Sequence, residues 1–190
     1  MPLILASTSP IRRQMLDAAG VAYEAVKPHV DEAAVKARLT DAEEIAAELA
    51  GLKACSVPAK DWVIGSDSVV SVGGHLFDKP ASRDQAAEHL RFFSGKAMKL
   101  TSAVALARFG TLDWRHVETA VLQVRDLSKG FIADYLDAEW PEVGYCVGVF
   151  RLEGRGVQLF ERLEGDHFTI LGMPLLPLLG ALRARGLVPA

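Results

Sequence analysis

Cysteine is scarce in this sequence, net charge is small, and no long apolar run is uninterrupted. Its two cysteines, Cys55 and Cys146, lie far apart and form no Cys-x-x-Cys pair, which excludes a disulfide framework and a thiolate zinc site. A reduced, cytoplasmic setting is expected. A formal net charge of −3 generates no field that would steer nucleic acid or an acidic membrane, so neither is expected as a partner. An anionic substrate would need a local basic cluster. The apolar stretch from Leu171 to Leu182 is broken by Pro174 and Pro177 and falls short of the roughly 20 residues a bilayer requires. The opening MPLILASTSP has a short apolar run with no basic segment before it, too little for a signal peptide.

Several catalytic signatures are missing as well. The five histidines show no His-Glu-x-x-His spacing, and no Gly-x-Ser-x-Gly elbow occurs, which disfavours a zinc hydrolase and a serine esterase. Ser94-Gly95-Lys96 has the form of the end of a Walker loop, but Leu90 stands where the first glycine is required. There is no internal repeat, low-complexity tract or linker.

What is present is 190 residues at 50% hydrophobic content, enough for one substantial core. A single domain over residues 1–190 is expected. Leu3 to Ala6 reads as a buried strand, and Ser9-Pro10 opens a helix that Gly20 closes near Ala19. Val21 to Val26 alternates as a strand. Thr40 and Glu43 have capping-box spacing ahead of a helix reaching Lys53. Trp62 to Val72 is β-branched and turns at Gly73-Gly74 into His75 to Phe77, a hairpin. Ser82 and Gln85 cap a helix that Ser94-Gly95 stops. Strands follow over Lys99 to Ala107 and Trp114 to Val124, then a helix from Ser128 through Leu136. A glycine-rich section spans Gly144 to Gly156, a strand Val157 to Arg162, and a final helix Leu175 to Arg185. Alternating elements of this kind predict an α/β fold, with a mixed sheet and flanking helices.

Three clusters can carry chemistry. Ser7, Thr8, Ser9, Arg12 and Arg13 lie at a strand-to-helix junction, where backbone N–H groups and the helix dipole favour phosphate and Arg12 can add a bidentate clamp. The alternative is that Ser9 merely caps and both arginines are solvated. Asp31-Glu32 offers oxygen ligands for Mg²⁺ or Mn²⁺, or is solvated surface. Asp67 sits inside an apolar strand, where a carboxylate must turn outward or find a partner. Lys79 of Asp78-Lys79-Pro80 is a candidate for that partner. In a functional reading Asp67 accepts a proton from water while Lys79 holds phosphate oxygens.

Taken together, LILASTSPIRRQML, VDE, VIGSDSVV, DKP and FERLEGDHFTILGMPLLPLL occur in the order and spacing of Maf proteins, and the sequence resembles that family over nearly its whole length. The resemblance implies a mixed α/β fold related to inosine triphosphate pyrophosphatases, with two lobes around a central cleft and often a homodimer. The implied reaction is hydrolysis of a nucleoside triphosphate to its monophosphate and pyrophosphate, with a divalent cation, Mg²⁺ or Mn²⁺, as cofactor. Ser7 and Arg12 fall on the family's phosphate-binding loop, Glu32 on its acidic site residue and Lys53 on a lysine of the motif set. Asp67 falls on the proton acceptor, with metal near it and Glu32, and Lys79 on the lysine before proline. Ile11, Ser66 and Glu153 lean toward the branch acting on 7-methyl-GTP. Ser68 and Val69-Val70 depart from that branch, and the Val69-Val70 pair matches the dTTP/UTP branch, which leaves the nucleotide open. A second reading, from the family's association with septum formation, is a regulatory binder without turnover. The water-activating carboxylate argues against it.

Overall fold

The structure is a computed structural model describing residues 3–189. Its elements run β1 (Leu3–Ala6), α1 (Pro10–Ala18), β2 (Glu24–Val26), α2 (Glu32–Arg38), α3 (Ala42–Cys55), β3 (Trp62–Val72), β4 (His75–Phe77) and α4 (Arg83–Phe93). There follow β5 (Ala97–Arg108), β6 (Thr111–Val124), α5 (Lys129–Glu139), β7 (Phe160–Glu164), α6 (His167–Leu171) and α7 (Leu175–Ala184), with 3₁₀ turns at Glu142–Tyr145 and Arg155–Leu159. The sheet has strand order β2-β1-β3-β5-β6-β7, with β4 paired to β3. β1 is parallel to β2 and β3, while β3–β4 and β6–β7 are antiparallel. The fold is therefore the expected mixed α/β type. Among the described residues no helix is long and apolar enough to cross a membrane.

Local chemistry accounts for most boundaries. Pro10 begins α1 at a position where its missing N–H costs nothing. Ser82 Oγ accepts from Gln85 N and Gln85 Oε1 accepts from Ala81 N, which makes the start of α4 a reciprocal cap. Ser128 caps α5 by accepting from Phe131 N.

Other expectations need correction. Asp41, not Thr40, caps α3, because its carboxylate accepts from both Glu43 N and Glu44 N. A carboxylate also suits the positive end of the helix dipole better than a hydroxyl. Ser9 occupies the cap position of α1 without a side-chain bond; Ser7 Oγ accepts from Ser9 N instead. Asp31 and Glu32 open a helix, Asp31 capping α2 and Glu32 being its first residue. The strand expected from Val157 starts at Phe160, residues 157–159 being in a 3₁₀ turn. The two-turn α2 and the one-turn α6 lie outside the expected elements.

The chain forms two compact units. The first comprises residues up to Ser68, Thr101–Thr119 and Asp166 onward; the second comprises Val69–Leu100 and Ala120–Gly165. In the first, Leu5, Leu16, Ile64, Val104, Leu106, Met173, Leu178 and Leu182 form a buried core from strands and from α1 and α7. In the second, Leu90, Phe93, Leu122, Leu136 and Leu159 are buried, and Phe77 lies edge-on to His89 and Phe93.

One glycine sets how α3 meets β3. A Cβ at Gly65 would stand 2.2 Å from the Ala50 carbonyl oxygen and 2.4 Å from the Ala54 nitrogen, so backbone approaches backbone there with no room for a methyl group. Gly65→Ala should therefore lower stability by about 3 kcal/mol, the upper part of the range for overpacking a core. Urea denaturation midpoints of the two proteins would measure it.

Candidate active site

The close passage at Gly65 delivers Lys53 to the sheet. Lys53 lies in the last turn of α3, next to Ala54, and Asp67 lies two residues beyond Gly65 on β3. Lys53 Nζ stands 2.5 Å from Asp67 Oδ1 and 2.7 Å from Glu32 Oε1. Lys53 is 8% exposed and Asp67 7%, so neither ion is solvated enough to stand alone. Glu32 is supplied by the first turn of α2, which its neighbour Asp31 caps. The expected partner of Asp67, Lys79, does not fill that role: Lys53 does. Lys79 follows the end of β4 and is exposed, in the second unit.

Arg12 turns inward from α1. Its Nε donates to the Gly172 carbonyl at 2.9 Å, one terminal nitrogen to the Ser66 carbonyl at 2.9 Å and the other to Ser68 Oγ at 3.1 Å. Three of the five N–H groups of a guanidinium are thus committed to the protein, leaving one on each terminal nitrogen. Burial lowers the Arg12 pKa from its usual value, and the negative charges of Asp67 and Glu32 oppose that shift. The same two carboxylates therefore balance Arg12 as well as Lys53. Ser7 is buried at the junction between β1 and α1, and Arg13 reaches back to its carbonyl.

Ser66 and Ser68 join three polar residues that no sequence motif singles out, Ser102, Thr169 and Glu118. Ser66 and Ser68 both donate to the Gly172 carbonyl, and Ser68 also meets Ser102 Oγ at 2.9 Å. Ser102 donates to the Thr169 carbonyl, and Thr169 Oγ1 donates to Glu118 Oε2. Partial burial pushes the Glu118 carboxyl up, but the Thr169 hydroxyl and the His116 ring outweigh it and hold it below the ordinary glutamate range. A signal for α6 was present in Asp166 and Thr169: Asp166 Oδ1 accepts from Thr169 N, an N-cap at standard spacing. Nothing along the chain indicates that Glu118, 51 residues away, meets Thr169.

The residues linked by the resemblance to specificity fall in different settings. Ile11 is half-buried against the core of the first unit, and the Ser68 hydroxyl is engaged as described. Glu153 is exposed in the second unit, in electrostatic reach of Cys146. Burial, with help from Glu153, raises the Cys146 thiol to about 11, against the pull of Lys79 and Arg151. Nearby, Arg151 pairs at 3.0 Å with the buried Glu139.

Among the described residues there is no group of three His, Cys, Asp or Glu placed to hold a metal ion. Glu32 and Asp67 nevertheless aim one carboxylate oxygen each at a single cation, the Lys53 ammonium. A pair of hard oxygen donors suits Mg²⁺, which takes one or two carboxylates and completes its shell with water and substrate phosphate.

The ion array generates a stability ordering. Lys53→Met strands Asp67 in the interior and should cost about 3–5 kcal/mol, the range for removing one member of a buried pair. Asp67→Asn should cost less, because Lys53 keeps Glu32. Parallel urea titrations would show the order.

The chain matches the family described as Maf-like protein over residues 2–185. It is 46% identical to the 7-methyl-GTP pyrophosphatase of Rhizobium etli, over 98% of this chain and 97% of that one. It is 45% identical to the nucleoside triphosphate pyrophosphatase of Sphingopyxis alaskensis, over 100% of both. Among solved structures, a nucleoside-triphosphatase / dITP/XTP pyrophosphatase from Mycobacterium abscessus matches at a TM-score of 0.41 and 15% identity, covering 98% of this chain and 96% of that one. That likeness is too loose to bear on activity. With its motifs in register from the first strand to the last helix and this degree of identity over its full length, the chain belongs to the Maf family.

Proposed function

We propose that this protein hydrolyses a nucleoside triphosphate to the monophosphate and pyrophosphate. The observation that carries the reading is the Glu32–Lys53–Asp67 array, two carboxylates converging on a buried ammonium beside Arg12. Full-length relatives named for this reaction support it. A regulatory binder would need the cations but not a carboxylate held at the same point.

In the reaction, the oxygen of water bonds to the α-phosphorus, the bond from that phosphorus to the bridging oxygen breaks, and pyrophosphate leaves. Asp67 accepts the proton of the attacking water. Lys53, held against Asp67, neutralises the carboxylate before attack and can turn its ammonium toward phosphate oxygen as charge develops. One N–H on each terminal nitrogen of Arg12 is left for phosphate oxygen, and the Ser7 loop adds to phosphate binding. Glu32 and Asp67 would hold a divalent cation, which supplies neutralisation of the triphosphate and acidifies bound water.

For the nucleotide, we favour 7-methyl-GTP, the substrate in the name of the Rhizobium etli relative. Glu153 is the residue assigned to the base: an exposed carboxylate is an acceptor for the N–H donors on a guanine edge. Ile11 and Ser68 are occupied by packing and hydrogen bonding, and so act on the base only indirectly.

Pyrophosphate release measured across canonical and methylated triphosphates tests this reading. Turnover is expected with 7-methyl-GTP above GTP, dTTP and UTP, and absence of release from every triphosphate would leave the binder in its place. Asp67→Asn should reduce kcat by roughly 10²–10⁴-fold, the usual worth of a general base; an unchanged kcat would remove Asp67 from that role. Chelation of divalent cations should abolish release, and added Mg²⁺ or Mn²⁺ should restore it.

A further inference from the structure

Side chains alternate along β3, so Ser66 and Ser68 lie on the face opposite Asp67. Their hydroxyls donate to one acceptor, the Gly172 carbonyl, at 3.2 and 3.1 Å. Arg12 Nε donates to the same oxygen at 2.9 Å. The backbone on each side of Asp67 is therefore tied to the turn that ends α6, where Gly172 adopts φ 106°.

That turn is itself held from its other side. Thr169 Oγ1 donates to Glu118 Oε2 at 2.6 Å, and Thr169 N donates to Asp166 Oδ1 at 3.0 Å. The Thr169 carbonyl accepts from Ser102 Oγ at 2.9 Å. Since the single proton of Ser102 lies on that bond, Ser68 is the donor in the 2.9 Å Ser68–Ser102 contact, and its proton alternates between Ser102 and Gly172. Ser66, Ser102 and Thr169 are each at most 1% exposed, so water does not substitute for these partners. At the outer end, His116 Nε2 lies 2.9 Å from Glu118 Oε1.

We propose that Thr169 and Glu118 are positioning residues for Asp67, neither of them touching substrate. Glu118 orients the Thr169 hydroxyl and thereby α6. The Thr169 and Gly172 carbonyls then hold Ser102, Ser68, Ser66 and Arg12, and this clamp holds the strand on which Asp67 faces Lys53. A network of this kind, fully satisfied, rigidifies what it surrounds. Removing its anchor lets the strand carrying the carboxylate shift, and a misplacement of about 1 Å can lower turnover roughly 100-fold. The inference rests on Asp67 being the proton acceptor of the reaction proposed above.

Two measurements on the same variants test it. Amide hydrogen exchange over residues 62–72 should accelerate about tenfold or more in Thr169→Val and Glu118→Ala, as expected for loss of a charge-assisted hydrogen bond. Exchange over residues 175–184 should stay at the wild-type rate. In pyrophosphate release, kcat should fall by about tenfold or more with KM within about twofold of wild type. Thr169→Ser and Glu118→Gln, which keep a donor and an acceptor at those positions, should restore both readouts. Unchanged exchange in β3 of Thr169→Val would overturn the clamp, and faster exchange with undiminished kcat would overturn its role in positioning. Should the wild-type protein release no pyrophosphate, the proposed reaction falls, while the exchange data still decide whether α6 holds β3. If Glu118→Ala fails to fold, the near-isosteric Thr169→Val carries the test.

Discussion

A lysine ammonium held between two carboxylates, in a place almost closed to water, is the constraint on which the first unit turns. Burying the Asp67 charge unpaired would be prohibitive, so α3 must bring Lys53 to the strand within hydrogen-bond distance. This closeness demands Gly65, because a methyl group there would overlap the backbone of α3. Glu32 must then reach the same ammonium, which accounts for a helix start at that residue with Asp31 as its cap.

Charge balance extends the constraint to Arg12. Two cations and two carboxylates leave the array near neutrality before any ligand arrives, and the guanidinium persists in a buried place because Asp67 and Glu32 oppose its desolvation. In the proposed reaction a triphosphate and a divalent cation entering together would bring charges of both signs, so the array could exchange partners without exposing an isolated ion. Arg12 is also a tie between α1, β3 and the turn after α6. One side chain thus joins the start of α1 to the strand of the proposed base, and in the proposed reaction binding and positioning are not separable at that residue.

Much of this was legible along the chain. Helix starts at Ser82 and Ser128, the strand from Trp62 to Val72 and the return at His75 all follow from caps, glycines and β-branched alternation, which act over a few residues. One correction is equally local. Thr40 and Asp41 compete for one cap, and the carboxylate wins because it serves two N–H groups at the positive end of a dipole. Asp67 is conspicuous as a charge in an apolar strand, yet its partner is not the lysine closer along the chain, Lys79, but Lys53, which bonds to it directly.

Sequence by itself determined most of the element types, the mixed α/β class and the family's motif residues, because each depends on composition, short-range periodicity or a motif read in order. Only the tertiary structure decided which of those residues meet. That Lys53 pairs with Asp67, that Arg12 spends most of its donors inside the protein, and that Glu118 anchors Thr169 are consequences of packing between segments 14 to 160 residues apart. Hydrogen bonds and ion pairs reach only about 3 Å, so which groups form them is set by the approach of helix to strand, here limited by the missing side chain of Gly65.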